Sequence, residues 1–286
     1  MTKADTYYQE TLKELLETGV PNSYKARTTL SDGSTINYRS LPDVKLFTYD
    51  LSKGEFPLTT VRPVAWKSAI KEILWIFQDR SNKVSELDKK HGVKWWWAWA
   101  DERGTIGRSY GWQIQNRYRR VNIDGVMTPL NQIDWLIWKL KNSPDRRMIM
   151  SMFDPERENA KQLQECAYET IWRVVGDQLH MTLVQRSSDF AVAGTINALQ
   201  YSALLMMVAH ETGYKVGKFN HFISDLHLYD NQVEQAELII SRTANSNKAL
   251  LQLNATGKGF YDITIDDFEV KDYTPQEQIK FGELAL

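Results

Sequence analysis

The chain has 286 residues, 42% hydrophobic and 25% charged, with 10 Trp, 13 Tyr and 10 Phe. That composition sits at the globular average and excludes the disordered, collagenous and low-complexity classes. Lys and Arg (35) nearly cancel Asp and Glu (36), so no global field holds the chain to a nucleic-acid backbone or an anionic membrane, and any anion must be met by a local basic cluster.

Taken in chain order, residues 1–19 (MTKADTYYQETLKELLETG) already carry acids and no apolar segment, which predicts an amphipathic helix and not a signal peptide. The longest apolar run, residues 203–209, falls far short of the roughly 20 residues that span a bilayer. A cytoplasmic protein with no membrane partner is expected. Helical spacing of apolar residues predicts a helix over 66–77 (WKSAIKEILWIF). Trp95, Trp96, Trp97 and Trp99 follow; core packing would account for one or two of them, and four suggest a stacking surface for a flat ligand. A second helix is predicted over 130–140, and Arg146 and Arg147 then open an apolar strand over 148–152.

The clearest strand signal is a hairpin, 167–175 and 178–186, turning at Gly176-Asp177. A third helix over 196–208 stops before Gly213, and strands are plausible at 214–224 and 261–270. Helices and strands mix without strict βαβ alternation, and neither a repeat nor a linker divides the chain. The fold class expected is α+β, a single domain over residues 1–286 built on one large mixed sheet with flanking helices.

The usual nucleotide-hydrolase, dinucleotide and zinc-protease fingerprints are absent. One cysteine cannot form an internal disulfide or a multi-cysteine metal site, and no metal is expected. Cys166 stands just before the hairpin, where a side chain can project from a sheet end. A lone cysteine is more often a small buried hydrophobe, but strand pairing returns Gln185-Arg186-Ser187-Ser188-Asp189 beside it, and a neighbouring arginine stabilises a thiolate. Arg186 and Ser187 together also offer a guanidinium fork and a hydroxyl to a phosphate. Asn197, near a helix start, suits an N-cap, but its amide also donates and accepts together, as the edge of a uracil ring requires. In SDLHLY, an extended chain puts Asp225, His227 and Tyr229 on one face.

Cys166, QRSSD twenty residues on, Asn197, DLHLY, the EILW around Glu72 and TIGRSYG ending at Gly111 stand in an order that resembles the folate-dependent thymidylate synthase family, bacterial members in particular. The resemblance runs from about Arg27 to the C-terminus. It implies methylation of dUMP to dTMP with 5,10-methylenetetrahydrofolate as carbon donor and reductant. It also implies Cys166 as nucleophile, Arg186 holding both thiolate and phosphate, and Glu72 and Tyr110 handling protons. For dUMP it implies Arg27, Arg146, Arg147, Arg186 and Ser187 on the phosphate, Gln185 and Asn197 at the base, and His227 and Tyr229 at the deoxyribose. Trp96, Trp99, Asp189 and Ala285 are implied for the folate. Arg146 and Arg147 match arginines that reach the neighbouring subunit's nucleotide, which implies a homodimer with composite sites.

Three positions depart from the common pattern: Glu165 before the cysteine, Ala167 after it, and Trp97. A carboxylate beside the nucleophile should raise the thiol pKa. Other readings are a dUMP hydroxymethylase of the same fold, a cysteine hydrolase pairing Cys166 with His221 or His227, and a nucleic-acid-binding module. The balanced charge argues against a nucleic-acid substrate, and the hydrolase leaves the arginines unexplained.

Overall fold

The computed structural model describes residues 2–22, 30, 32–155, 164–246 and 248–283. The first helix, α1 (Lys3–Thr18), starts where Thr2 accepts the Asp5 backbone N–H at 3.1 Å, satisfying one of the amides a helix start leaves open. Short strands β1 (Val20–Pro21), β2 (Tyr38–Ser40) and β3 (Lys45–Asp50) follow. The helix expected over 66–77 is α2 (Trp66–Leu74) plus a π-turn over Trp75–Asp79, closed by Arg80 at φ 53°. Helices α3 (Val84–His91) and α4 (Gly111–Asn116) lead to a separate hairpin, β4 (Tyr118–Ile123) and β5 (Val126–Asn131). Helix α5 (Gln132–Asn142) begins two residues later than its periodicity predicts, because the Asn131 side chain accepts the Asp134 N–H and caps it.

The centre of the fold is β6 (Met148–Ser151), β7 (Ala167–Val175), β8 (Gln178–Asp189), α6 (Gly194–Thr212) and β9 (Lys215–Tyr229). The β7 bounds agree with expectation, while β8 and β9 run on through QRSSD and DLHLY. Helix α6 is apolar nearly all round and buried, and it ends at Gly213 in the left-handed conformation. After α7 (Val233–Ser241), strands β10 (Leu250–Leu253) and β11 (Phe268–Lys271) form a small hairpin. The strand expected over 261–270 is therefore corrected. Residues Phe260–Asp262 and Ile265–Asp267 are 3₁₀ turns, and they bury Phe260 and Ile263 without a strand.

The main sheet is ordered β1-β2-β9-β8-β7-β6, with β3 also on β9, and β8 and β9 run parallel while the other pairs are antiparallel. This is the mixed sheet expected. Alternation sends Leu179, Met181 and Leu183 of β8 and Phe219, His221 and Ile223 of β9 into the core, while Thr182, Val184, Asn220 and Phe222 face the other side. No described helix is long and apolar enough to cross a membrane.

Candidate active site

Strand direction assembles the site. Because β8 and β9 are parallel, their C-terminal ends meet at one edge, in register Ser187 to Asp225 and Asp189 to His227. Antiparallel β7 begins at that edge, so Cys166, one residue before it, lies against Arg186, whose backbone N–H donates to Cys166 O at 2.8 Å. A register shift between Ala167 and Glu169 breaks the ladder just after the cysteine, and such bulges re-aim a side chain at a strand end. Helix α6 leaves the same edge and carries Asn197. Ala193, not Asn197, is its N-cap.

Arg186 Nη2 is 3.6 Å from Cys166 Sγ, while Nη2 and Nε also donate to the Gln164 and Glu165 carbonyls at 2.9 and 3.0 Å. These bonds fix the guanidinium beside the sulfur. Burial nevertheless raises the thiol pKa; Arg186 pulls it down, and Glu165 and Asp225 push it further up. The expected effect of Glu165 is present, and burial outweighs the pull of Arg186. Among the described residues the hydrogen-bonding neighbours of Sγ are Arg186 and the Gln164 carbonyl, so neither His221 nor His227 pairs with it as a hydrolase would need.

Tyr110 supports the nucleophile from the other side: its hydroxyl accepts the Cys166 N–H at 3.1 Å. It does so from a backbone at φ 44°, ψ −106°, a region a tyrosine enters at about 1–3 kcal/mol. The next position admits only glycine, since a Cβ on Gly111 would lie 2.3 Å from Ser81 O. Burial holds the phenol well above its usual pKa.

Glu72 is buried, and desolvation pushes its pKa up to about 7, against the opposing pull of its polar neighbours Trp96, Trp95 and Gln200. The Trp95 indole N–H donates directly to the carboxylate. Trp96 packs 5.5 Å from both Tyr110 and Trp99, ring centre to ring centre, whereas Trp97 turns outward and donates to Asp88 at 2.9 Å. The four tryptophans thus divide between a carboxylate clamp, an aromatic wall and the surface.

Asn197 accepts from Gln185 Nε2 at 3.1 Å and donates to Gln200 Oε1 at 3.0 Å, and Gln185 Oε1 meets His221 Nε2 at 2.7 Å. Burial drives the His221 pKa down to about 3, which keeps the ring neutral. Ser187 Oγ lies 3.3 Å from Asp225 and 3.4 Å from His227 Nδ1. Burial works against the Asp225 carboxylate, but hydrogen bonds from His227, Ser40 and Ser187 outweigh it and keep its pKa below the usual range. Tyr229 stacks edge-on to His227, its pKa pushed up to about 12 by burial. Asp189 accepts from Gln232 at 2.8 Å and from the Val192 N–H at 3.3 Å, and burial raises its pKa.

The exposed pair Arg146 and Arg147 does not join this cluster. It precedes β6 at the end where Met148 pairs with Trp172, about six residues, or roughly 20 Å, along the strand from Cys166. Arg147 pairs with Asp145 at 3.1 Å. Arg27 and Ala285 lie outside the described residues. Trp95 was expected only as part of a stacking surface, and Gln200 was not singled out from the sequence; Gln200 could have been found as the residue one helical turn from Asn197 on the same face. Among the described residues no group of three or more His, Cys, Asp or Glu could hold a metal ion.

The thymidylate synthase family model matches residues 6–285. The chain is similar to the thymidylate synthase of Streptococcus sanguinis, 44% identical over 295 residues and the whole of both chains. It is also similar to that of Lactococcus lactis subsp. lactis, 42% identical over 294 residues, again with both chains fully covered. Among solved structures it is similar to thermostable thymidylate synthase A from Bacillus subtilis, with a TM-score of 0.88, 36% identity and 99% of each chain covered.

Proposed function

The chain belongs to the thymidylate synthase family and converts dUMP to dTMP, and we propose that it does so by covalent activation of the nucleotide at Cys166, with the residues gathered at the common edge of β7, β8 and β9. The observation that carries this reading is the Arg186 guanidinium fixed 3.6 Å from the only thiol. C5 of uracil is barely nucleophilic. Addition of Sγ to C6 makes C5 an enolate carbon. The thiol first gives its proton to water, with Arg186 stabilising the thiolate, and as the C–S bond forms the negative charge passes from sulfur to the C5–C4–O4 enolate. Arg186 Nη1, not engaged by the backbone carbonyls, and Ser187 Oγ take the phosphate.

Asn197 reads N3 and O4 of the base, with Gln185 behind it, and His227 and Tyr229 hold the deoxyribose hydroxyl. Glu72, titrating at about 7, is poised to move a proton at O4 near neutral pH, and Tyr110 assists loss of the C5 proton. When bound, 5,10-methylenetetrahydrofolate supplies the one-carbon unit and the hydride and departs as dihydrofolate. The donor set fits such a ligand: Trp96 and Trp99 wall the space beside Tyr110, and the half-buried Asp189 offers a carboxyl to a pterin edge. Arg27 completes the phosphate site and Ala285 the folate site in this reading.

Arg146 and Arg147 have no anion to meet in their own subunit's site, so the reading makes them the phosphate ligands of a partner copy in a homodimer. The sheet face turned away from the helices supports this, since it bears Leu46, Ile171, Val184 and Phe222 incompletely buried, an apolar surface suited to a two-fold contact. Residues 1–286 act as one catalytic unit, supported by one core cluster that runs from Ala4 to Ile279. A cytoplasmic location accords with a reactive reduced thiol. The test is incubation with dUMP and 5,10-methylenetetrahydrofolate, following dihydrofolate by absorbance and identifying the nucleotide product. Equal formation of dTMP and dihydrofolate is expected, and a hydroxymethylated nucleotide without dihydrofolate would overturn the reading.

A further inference from the structure

Tyr110 stands in a backbone conformation that only its surroundings can hold. At φ 44°, ψ −106° a tyrosine persists where neighbouring bonds over-determine it. Two side chains supply such bonds by taking the carbonyls just before it. Asn82 Nδ2 donates to Gly107 O at 2.5 Å, and Gln113 Nε2, reaching back five residues, donates to Arg108 O at 2.7 Å. Gln113 is fully buried, and both of its polar side-chain atoms are engaged. Nε2 also donates to Asp154 Oδ2 at 3.2 Å, and Oε1 accepts the Arg117 Nε–H at 2.5 Å. The buried Asp154 carboxylate is held in turn by Arg108 at 3.1 Å and Arg117 at 3.8 Å. The backbone of Gln113 is anchored as well: its carbonyl accepts Gln132 Nε2 at 2.9 Å, and the Gln132 amide bonds both the N–H and the carbonyl of Ser151 at 2.8 Å. Ser151 ends β6, the strand paired to β7. The turn that carries Tyr110 and the strand that follows Cys166 are therefore fixed to one frame.

We propose that Gln113 is a positioning residue for the reaction: by tying the Arg108 carbonyl to Asp154 and β6, it keeps the strained turn closed and the Tyr110 hydroxyl beside Cys166. The inference rests on the reading that Tyr110 assists loss of the C5 proton. That hydroxyl stands 3.1 Å from the Cys166 nitrogen, and a displacement of about 1 Å in such a group costs about 10²-fold in rate. Without the Gln113 amide the Arg108 carbonyl loses this donor, and the turn loses one of the bonds that oppose its relaxation. Arg108 and Arg117 still neutralise Asp154, so no bare charge is left in the interior. Gln113 acts through the turn. Its loss therefore slows the step that Tyr110 serves and leaves the grip on the nucleotide, set by Arg186, Ser187 and Asn197, as it was.

The test is a double-mutant cycle of Gln113→Met and Tyr110→Phe, read by kcat and by KM for dUMP. Methionine keeps the length of the side chain and removes both its donor and its acceptor. Gln113→Met alone is expected to lower kcat about 10- to 100-fold, with KM for dUMP unchanged within about twofold. Beside Tyr110→Phe it is expected to have no further effect, because residues that act through one group are not additive. A merely structural loss would lower kcat by the same factor in both backgrounds. That additive result overturns the proposal, as does an unchanged kcat in folded Gln113→Met. Tyr110→Phe turning over at the wild-type rate overturns the reading of Tyr110 itself. If Gln113→Met does not fold, Asp154→Asn is read by the same cycle, since it keeps the shape but puts a donor where two oxygens met Gln113 and the two arginines. A fall in kcat that vanishes beside Tyr110→Phe is then expected, and an additive or absent fall overturns the inference.

Discussion

Strands β7, β8 and β9 have two ends, and the chemistry at them differs. At the Gly176-Asp177 end the charged groups meet water: Lys215 and Asp177 form an ion pair at 2.6 Å between side chains 75% and 67% exposed, and the buried polar ring there, His180, is satisfied by the Lys218 backbone N–H. At the Cys166 end, Glu72, Gln185, Gln200 and His221 are all buried, and burial displaces the pKa of the thiol, of Glu72 and of His221 from their usual values. The same strand pairing supports both ends. Charge and polarity held out of water, against their preference, mark the end that does chemistry.

The largest expected effect comes from relieving that burial. Glu72→Gln should lower kcat by about 10² to 10⁴-fold, the range for a general acid–base. It should also change stability in a pH-dependent way. A carboxyl raised from 4.5 to about 7 in the folded state stabilises the fold fully below pH 4.5, and that contribution is lost as pH rises through about 7. Denaturant unfolding should show the wild type losing on the order of 3 kcal/mol relative to the variant across this window. An unchanged difference would mean that Glu72 is solvated.

Next in size is base choice. Asn197→Asp should swing preference from dUMP toward dCMP by about 2–4 kcal/mol, from buried polar groups worth about 1–3 kcal/mol each when left unpaired. Comparison of kcat/KM for the two nucleotides checks it. Smaller again is the effect of mixing two inactive chains. Arg146→Ala and Cys166→Ala, exchanged at equal concentration, should recover about one quarter of wild-type activity, because about half the dimers are mixed and one of their two sites is intact. No recovery with verified exchange would return Arg146 to the bare surface. At the opposite end of the strands, Lys215→Ala should leave both the melting temperature and turnover unchanged, since exposed pairs contribute little. A loss of activity there would erase the contrast between the ends.

The hairpin that carries the site was legible because Gly176-Asp177 and the alternation on either side speak through local rules. Its extension to Asp189, and that of β9 to Tyr229, was less visible. Ser187, Ser188, Asp189, Ser224 and Asp225 interrupt the apolar alternation for the sake of the site. The β4–β5 hairpin offered Asp124-Gly125, both at positive φ, but its strands are mostly exposed and turn only Val121, Ile123 and Leu130 toward the core. Residues 261–270 misled in the opposite sense, with apolar spacing met by turns that bury single side chains. In the site, Cys166, Arg186 and His227 stood out by residue type and position. Asn197 and Gln185 stood out too, but their partners did not, since Gln200 sits inside an apolar helix and His221 on a strand 36 positions from Gln185 in sequence, and only the fold brings them together.

The central claim is that Cys166 bonds to the nucleotide during turnover. Incubation with 5,10-methylenetetrahydrofolate and a dUMP analogue fluorinated at C5, whose fluorine cannot leave as a proton does, should trap that bond. Intact mass measurement should then show the protein heavier by the sum of both ligands, with the added mass on the peptide containing Cys166 and absent from Cys166→Ala. Active enzyme that gains no mass, or gains it on any other residue, would contradict the account.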